Sequence, residues 1–163
     1  MIFQHTHRQV LDGSKTQTRR LVKDGERYIP NTRAFGSYIN YPALVERRNG
    51  HAKWTVGKTY AVQPGRTDKG IGTIRITAIR RERLRDITEE DAIAEGCAGE
   101  GQMDTPYYSG MLDQPMWEWH KFPSDEFAEL WDSVHKPPND WKGNPEVWVL
   151  EFELVKETAD AIS

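Results

Sequence analysis

Apolar and polar positions alternate most regularly near the C-terminal end. There Trp148, Leu150, Phe152 and Leu154 fall on one side of an extended chain, and Val147, Val149, Glu151 and Glu153 on the other. This predicts a strand with one heavily apolar face. A second alternation sets Ile74, Ile76 and Ala78 against Thr73, Arg75 and Thr77 and predicts a half-buried strand over residues 71–79. Helical spacing appears where Phe127, Leu130, Trp131 and Val134 recur at i, i+3, i+4 and i+7, giving a helix from a Ser124 cap to Val134 with its stripe in the core.

Shorter elements are marked by their ends. Thr88 followed by Asp91 forms a capping box, Ile87 and Ala92 are placed for a hydrophobic staple, and Gly96 can close the helix, so residues 89–95 are predicted helical. Val10 and Leu11 end an apolar helical turn that Gly13 can close with a positive φ. Residues 15–22 contain neither Gly nor Pro and favour a strand, and residues 54–62 read as a turn feeding another.

Two stretches lack a period. Residues 24–53 carry Tyr28, Phe35, Tyr38 and Tyr41 and read as a long irregular excursion, with a hairpin around Asn49-Gly50. Its aromatics pack the excursion onto the body or stack bases; burial is the commoner role of such rings. Residues 97–123 are rich in Gly, Pro and aromatics (Tyr107, Tyr108, Met111, Trp117, Trp119, His120 and Phe122), the composition of a lid, a binding loop or an ordered insertion. The tail, 156–163, is expected to fray. At 163 residues the chain fits one α+β domain, residues 1–163, with insertions around 24–53 and 97–123.

Composition narrows the class. Hydrophobic residues make up 37% and mean hydropathy is -0.76, so the core is small and the six Trp must supply much of it. The single Cys97 cannot form an internal disulfide, which suits a reducing cytoplasm, and is expected as a small buried apolar residue. No apolar run is long enough to span a bilayer, and the first residues lack a signal-peptide core. The expectation is a soluble cytoplasmic protein with no membrane partner.

Net charge is -3, but the basic residues are clustered: Arg19, Arg20 and Lys23; Arg47 and Arg48; Arg75, Arg80, Arg81, Arg83 and Arg85. The last group is either a charged strand edge or a phosphate-contacting stripe. Arg66, in a Gly-rich loop, meets either a phosphate or water. Five histidines and one cysteine show no zinc spacing, and there is no phosphate loop, dinucleotide fingerprint or nucleophile elbow. Neither a metal nor a cofactor is expected.

The densest chemistry lies in Leu11-Asp12-Gly13-Ser14-Lys15-Thr16-Gln17-Thr18-Arg19-Arg20. An ammonium beside a hydroxyl lowers the cost of a developing negative charge, so Lys15 and Thr18 could form a polar reactive site; an exposed lysine and propensity-driven threonines are the plainer alternative. Residues three apart on a flat strand face opposite ways, so these two converge only if the strand bends or begins after Lys15. Glu95, in the last turn of its predicted helix, sits at the negative end of the macrodipole. It is either a shielded carboxylate suited to proton transfer or an exposed glutamate.

That ten-residue run resembles the signature of the ASCH family. Asp86-Ile87-Thr88-Glu89-Glu90-Asp91-Ala92-Ile93-Ala94-Glu95-Gly96 is similar to the family's helix, and Val147-Trp148-Val149-Leu150-Glu151-Phe152 to its closing strand. At residue 58, where the family often has Asp in a turn, Lys58 stands here. The resemblance implies a PUA-like mixed β-barrel with flanking helices and a cleft facing RNA, other single-stranded nucleic acid, or a modified nucleoside. It implies an RNA-binding protein whose Arg19, Arg20, Arg66, Arg80 and Arg81 contact nucleic acid. In some small members a Lys, a Thr and a Glu hydrolyse the amide of N4-acetylcytidine; these match Lys15, Thr18 and Glu95. Thr18 would then be the nucleophile, Lys15 would assist its deprotonation or hold the oxyanion, and Glu95 would position groups or shuttle protons. Other members are nucleases, and many are encoded by phages. The readings that follow are an RNA-binding module, an amidohydrolase or ribonuclease, and a phage assembly or interaction protein.

Overall fold

The strand predicted at the C-terminal end runs through the middle of the molecule. The computed structural model describes residues 1–33, 40–102, 107–108, 115–116 and 119–157. In chain order the elements are α1 (His7–Leu11), β1 (Gln17–Leu21), β2 (Arg27–Ile29), β3 (Thr32–Arg33), β4 (Asn40–Tyr41), β5 (Leu44–Glu46), β6 (Ala52–Thr55), β7 (Thr59–Val62) and β8 (Gly72–Arg83). A short 3-10 turn at Leu84–Asp86 leads to α2 (Glu89–Ala94), β9 (Glu100–Gln102), β10 (Tyr107–Tyr108), β11 (Pro115–Met116), β12 (Trp119–Lys121), α3 (Pro123–Val134) and β13 (Glu146–Glu157).

The main sheet has the order β1-β13-β8-β7 and all its ladders are antiparallel. Trp148, Leu150 and Phe152 are buried as the alternation requires, but Val147 and Val149 on the opposite face are buried too. On that second face they pack with Leu84, Ala92, Cys97, Phe127 and Trp131, under α2 and α3. Trp148 and Leu150 pack instead with Val45, Trp54, Ile76 and Ile79, against β5 and β6. The first half of β13 is therefore covered on both faces, and only beyond Leu150 does one face turn polar. Truncating Leu150 to Ala would cost about 2–5 kcal/mol in such a site.

The described residues of 24–53 are not irregular. They hold β2, β5 and β6, which form a three-stranded antiparallel sheet in the order β2-β5-β6, and the β3–β4 pair. The hairpin turn falls at Asn49-Gly50 as expected, with Gly50 at φ 83. The period was invisible because these strands are only two to four residues long. The sheet is tied down by Glu26, whose carboxylate accepts from Trp148 Nε1 at 2.8 Å, the Lys23 backbone N–H at 3.1 Å and Lys53 Nζ at 2.5 Å.

The α+β class holds, while the strands do not close into a barrel: β1 and β7 remain as the two edges of the main sheet. An isolated parallel bridge, Ile2 to Gln63, supplements the antiparallel ladders. The 97–123 stretch also contains paired strands, β9 with β12 and β10 with β11. Met111 and Trp117, singled out there, lie outside the described residues, as do Phe35 and Tyr38 and residues 158–163 of the tail; β13 itself continues through Lys156 to Glu157. At α3 the cap is not Ser124. Phe122 occupies the cap position without a side-chain bond and Pro123 opens the helix, a position that tolerates its missing N–H. Ser124 instead donates its backbone N–H to Glu89 at 2.9 Å. The α3 stripe is only partly core, because Phe127 and Trp131 are buried whereas Val134 is 51% exposed. Among the described residues no helix is long and apolar enough to cross a membrane.

Candidate functional site

Lys15 is placed by backbone hydrogen bonds from both directions. Its own N–H donates to Gln9 O in α1 at 2.9 Å, and the next N–H, of Thr16, donates to Ala94 O at the end of α2 at 2.8 Å. The segment between α1 and β1 is thereby stitched to the C-terminal end of α2. Gly13, at φ 82, makes the reversal out of α1 that the sequence predicted. Since β1 begins only at Gln17, Lys15 precedes the strict alternation of the strand, which removes the conflict over which way it and Thr18 face.

The end of α2 supplies the partner. Thr88 caps the helix, accepting from the Asp91 N–H at 3.1 Å, and Gly96 turns the chain away at φ 93. Lys15 Nζ then donates to the Glu95 main-chain carbonyl at 2.6 Å and to Glu95 Oε2 at 2.7 Å. One of these bonds satisfies a carbonyl that the ending helix leaves without an intrahelical donor, and the other pairs the charge. Lys15, Thr18 and Glu95 are 4%, 5% and 3% exposed, and all three line one cleft of about 270 Å³, a little below the usual range of roughly 300–1,000 Å³ for small-molecule sites. Among the described residues the Thr18 hydroxyl makes no hydrogen bond.

Behind the triad lies an ionic network that the sequence reading missed. Arg19 Nη1 reaches Glu95 Oε1 at 3.1 Å, Arg19 Nη2 reaches Asp91 Oδ2 at 3.0 Å and also pairs with Glu82. Gln17 bridges the same groups, accepting from Arg19 and donating to Asp91 Oδ1 at 3.2 Å. Burial pulls the Asp91 carboxyl upward, but the Gln17 hydrogen bond and the charges of Arg19 and Arg80 outweigh it and hold Asp91 below its ordinary range. Glu95 thus faces two cations, Lys15 and Arg19, whereas the sequence suggested only the unfavourable end of a helix dipole. The signal that could have found Asp91 was its place beside the Thr88 cap: the box is one-sided, and the carboxylate turns to Gln17 and the arginines.

The arginines expected to meet nucleic acid are dispersed. Arg19 and Arg20 line the cleft. Arg80 is engaged by Glu82 at 3.1 Å, Asp91 at 3.1 Å and Glu151 at 2.6 Å. Arg81 pairs with Glu146 and lies over the Trp148 ring, its Cζ 5.5 Å from the centroid. Arg66 is exposed in the loop after β7, away from the cleft wall. Within the run 80–85, Arg80 and Arg81 are thus answered by carboxylates, whereas among the described residues Arg83 Nη1 reaches only the Asn144 main-chain carbonyl, at 3.5 Å.

Apolar side chains also line the cleft, and much of this lining has the spacing that predicts core. Phe3 comes from the N-terminal segment, while Phe127, Leu130, Trp131 and Val134 present the α3 stripe. His135 stacks on Trp131 with centroids 3.8 Å apart and planes 15° from parallel. Burial lowers the His135 pKa, against the upward pull of its hydrogen bond to Trp131 O at 3.2 Å; the Arg20 charge lowers it further and Asp132 raises it. Among the described residues no group of three or more His, Cys, Asp or Glu is placed to hold a metal ion.

These features define an α+β protein with a half-polar, half-aromatic cleft built around a buried Lys–Glu pair. No protein-family model matches the chain and no curated protein matches it. Two solved structures are similar in fold. One is an ASCH domain from Lactobacillus crispatus JV V101, 15% identical, covering 93% of this chain and 70% of the other at a TM-score of 0.48. The other is a DUF984 protein of Enterococcus faecalis V583, 13% identical, covering 94% of this chain and 71% of the other at a TM-score of 0.47.

Proposed function

We propose that the cleft binds a nucleoside, free or as an unpaired residue of RNA, and that Lys15, Thr18 and Glu95 hydrolyse an amide on its base, N4-acetylcytidine being the substrate to test. The observation that carries this reading is that three buried polar side chains line one cleft: a hydroxyl that makes no hydrogen bond among the described residues, an ammonium and a carboxylate, the last two paired. The ASCH-like residues of the sequence lead to the same substrate class.

In this mechanism Thr18 Oγ attacks the acyl carbon and its proton passes to the Lys15–Glu95 pair. Lys15 Nζ has three donors, two of them used by Glu95, and the third meets the oxyanion of the tetrahedral intermediate. The proton is returned to the departing amine nitrogen as the C–N bond breaks. Water then cleaves the threonyl ester, releasing acetate and restoring the hydroxyl. Arg19 keeps Glu95 oriented from behind and takes no part in the bond changes.

A second reading, RNA binding without catalysis, is favoured by the aromatic wall. Trp131 is itself buried, and the half-buried His135 ring stacked on it is the aromatic group of the cleft against which an unpaired base can lie. Incubation with N4-acetylcytidine separates the two: acetate release that Lys15→Ala abolishes supports the hydrolase, while salt-sensitive binding of single-stranded RNA without acetate release supports the module.

A further inference from the structure

Arg20 is a cation of the cleft that, among the described residues, no carboxylate contacts. Lys15 is matched by Glu95, and Arg19 by Glu95, Glu82 and Asp91. Among the described residues no carboxylate lies within 4.0 Å of the Arg20 guanidinium. Its place is nevertheless fixed. Nη2 donates to the Ile2 main-chain carbonyl at 2.6 Å, Cζ stands 5.4 Å from the centre of the Phe3 ring, and Nε is buried without a partner. A guanidinium held by a carbonyl and an aromatic face, with no acid beside it, keeps its full charge and part of its donor set for something else. Burial lowers its pKa, and the field of Glu95 offsets this only in part.

We propose that Arg20 holds a phosphate of the ligand, so that the cleft prefers a phosphorylated nucleoside to the neutral one. This rests on the nucleoside reading above and names the form in which the nucleoside arrives. The phosphate is either the 5′-monophosphate of a free nucleotide or a phosphodiester of an RNA chain. Both present the oxygens that an arginine fork contacts with two parallel N–H bonds. Arg20 acts in recognition and leaves the acyl chemistry to Lys15, Thr18 and Glu95.

The test is a set of tryptophan-fluorescence titrations, read before turnover, with N4-acetylcytidine, its 5′-monophosphate and a dinucleotide carrying the same base. The wild-type protein should bind a phosphorylated ligand on the order of ten- to a hundredfold more tightly than the nucleoside, the span of a hydrogen bond to a charged group. A preference confined to the dinucleotide identifies RNA as the source, and one shared by the monophosphate identifies the nucleotide. In Arg20→Gln the ratio of the affinities should fall to about one, and in Arg20→Lys to an intermediate value, because charge survives without the fork. Equal affinity for nucleoside and both phosphorylated forms in the wild type overturns the assignment of Arg20 and leaves the nucleoside reading standing. If none of the three ligands binds, the nucleoside reading fails and this inference falls with it. A phosphate preference that survives in a folded Arg20→Gln protein also removes Arg20 from the role.

Discussion

The Lys15 ammonium lies 2.7 Å from Glu95 Oε2 and 2.6 Å from the Glu95 carbonyl, across 80 positions of chain, in a site that solvent scarcely reaches. The pair is a structural as well as a chemical feature, because Glu95 answers Arg19 at the same time. Removing Glu95 leaves Lys15 without a counter-charge while Arg19 keeps Asp91 and Glu82, whereas removing Lys15 leaves Glu95 still paired with Arg19. Urea denaturation should therefore find Glu95→Gln destabilised by about 3–5 kcal/mol, as for other broken buried pairs, and Lys15→Met by roughly half of that. The reverse order would mean that Glu95 depends on Lys15 more than Lys15 depends on Glu95.

Thr18 should behave oppositely. Its hydroxyl has no partner to lose among the described residues, so Thr18→Val should change stability by less than about 1 kcal/mol. Activity on an acyl-cytidine should nonetheless disappear, since the nucleophile is gone. Loss of activity together with collapse of the fold would instead point to a packing role.

Gly96 turns the chain beside the pair at φ 93, and a Cβ there would stand 3.5 Å from Lys15 Cβ and 3.3 Å from Gln9 Cβ. The backbone conformation itself disfavours any other residue. Thermal and urea unfolding of Gly96→Ala should show a loss of about 1–2 kcal/mol. A neutral result would mean that the turn can relax into another conformation.

The acid limb of stability should report Glu26. Burial pulls its carboxyl upward, but hydrogen bonds from Lys53, the Lys23 backbone and Trp148, with the Lys53 charge, leave it below its ordinary value. A carboxyl depressed in the fold stabilises above its unfolded pKa, and the contribution is lost as pH falls through the folded value. The stability difference between wild type and Glu26→Gln should thus be constant above about pH 5 and shrink below about pH 4.3. A difference that grows on acidification would reverse the sign of the assignment.

The same logic links Arg20 to His135, since the Arg20 charge helps to lower the imidazole pKa. In Arg20→Gln the His135 ring should titrate at higher pH than in the wild type, measured by NMR of the ring protons. An unchanged pKa would place the two groups too far apart to interact.

How much of this was legible follows from the range of each interaction. The α1 turn closed by Gly13, the Thr88 cap, Gly96 and the alternation of β13 are set by neighbours within a few residues, and the sequence shows them plainly. The convergence of Lys15, Thr18 and Glu95 was reached through the ASCH-like motif, because no local pattern links position 15 to position 95. Gln17, Asp91 and Glu82 escaped notice because their roles arise only when β1, α2 and β8 meet. The cleft wall was hidden for a different reason: Leu130, Trp131 and Val134 keep core spacing although their helix face opens partly onto a cavity. The sheet of β2, β5 and β6 was missed because strands this short carry too few alternations to register.

The central claim is most directly tested by incubating the wild-type protein and Thr18→Val with N4-acetylcytidine and measuring free acetate. Release by the wild type and none by a folded Thr18→Val protein is the predicted result. No release by the wild type, or equal release by both, would contradict it.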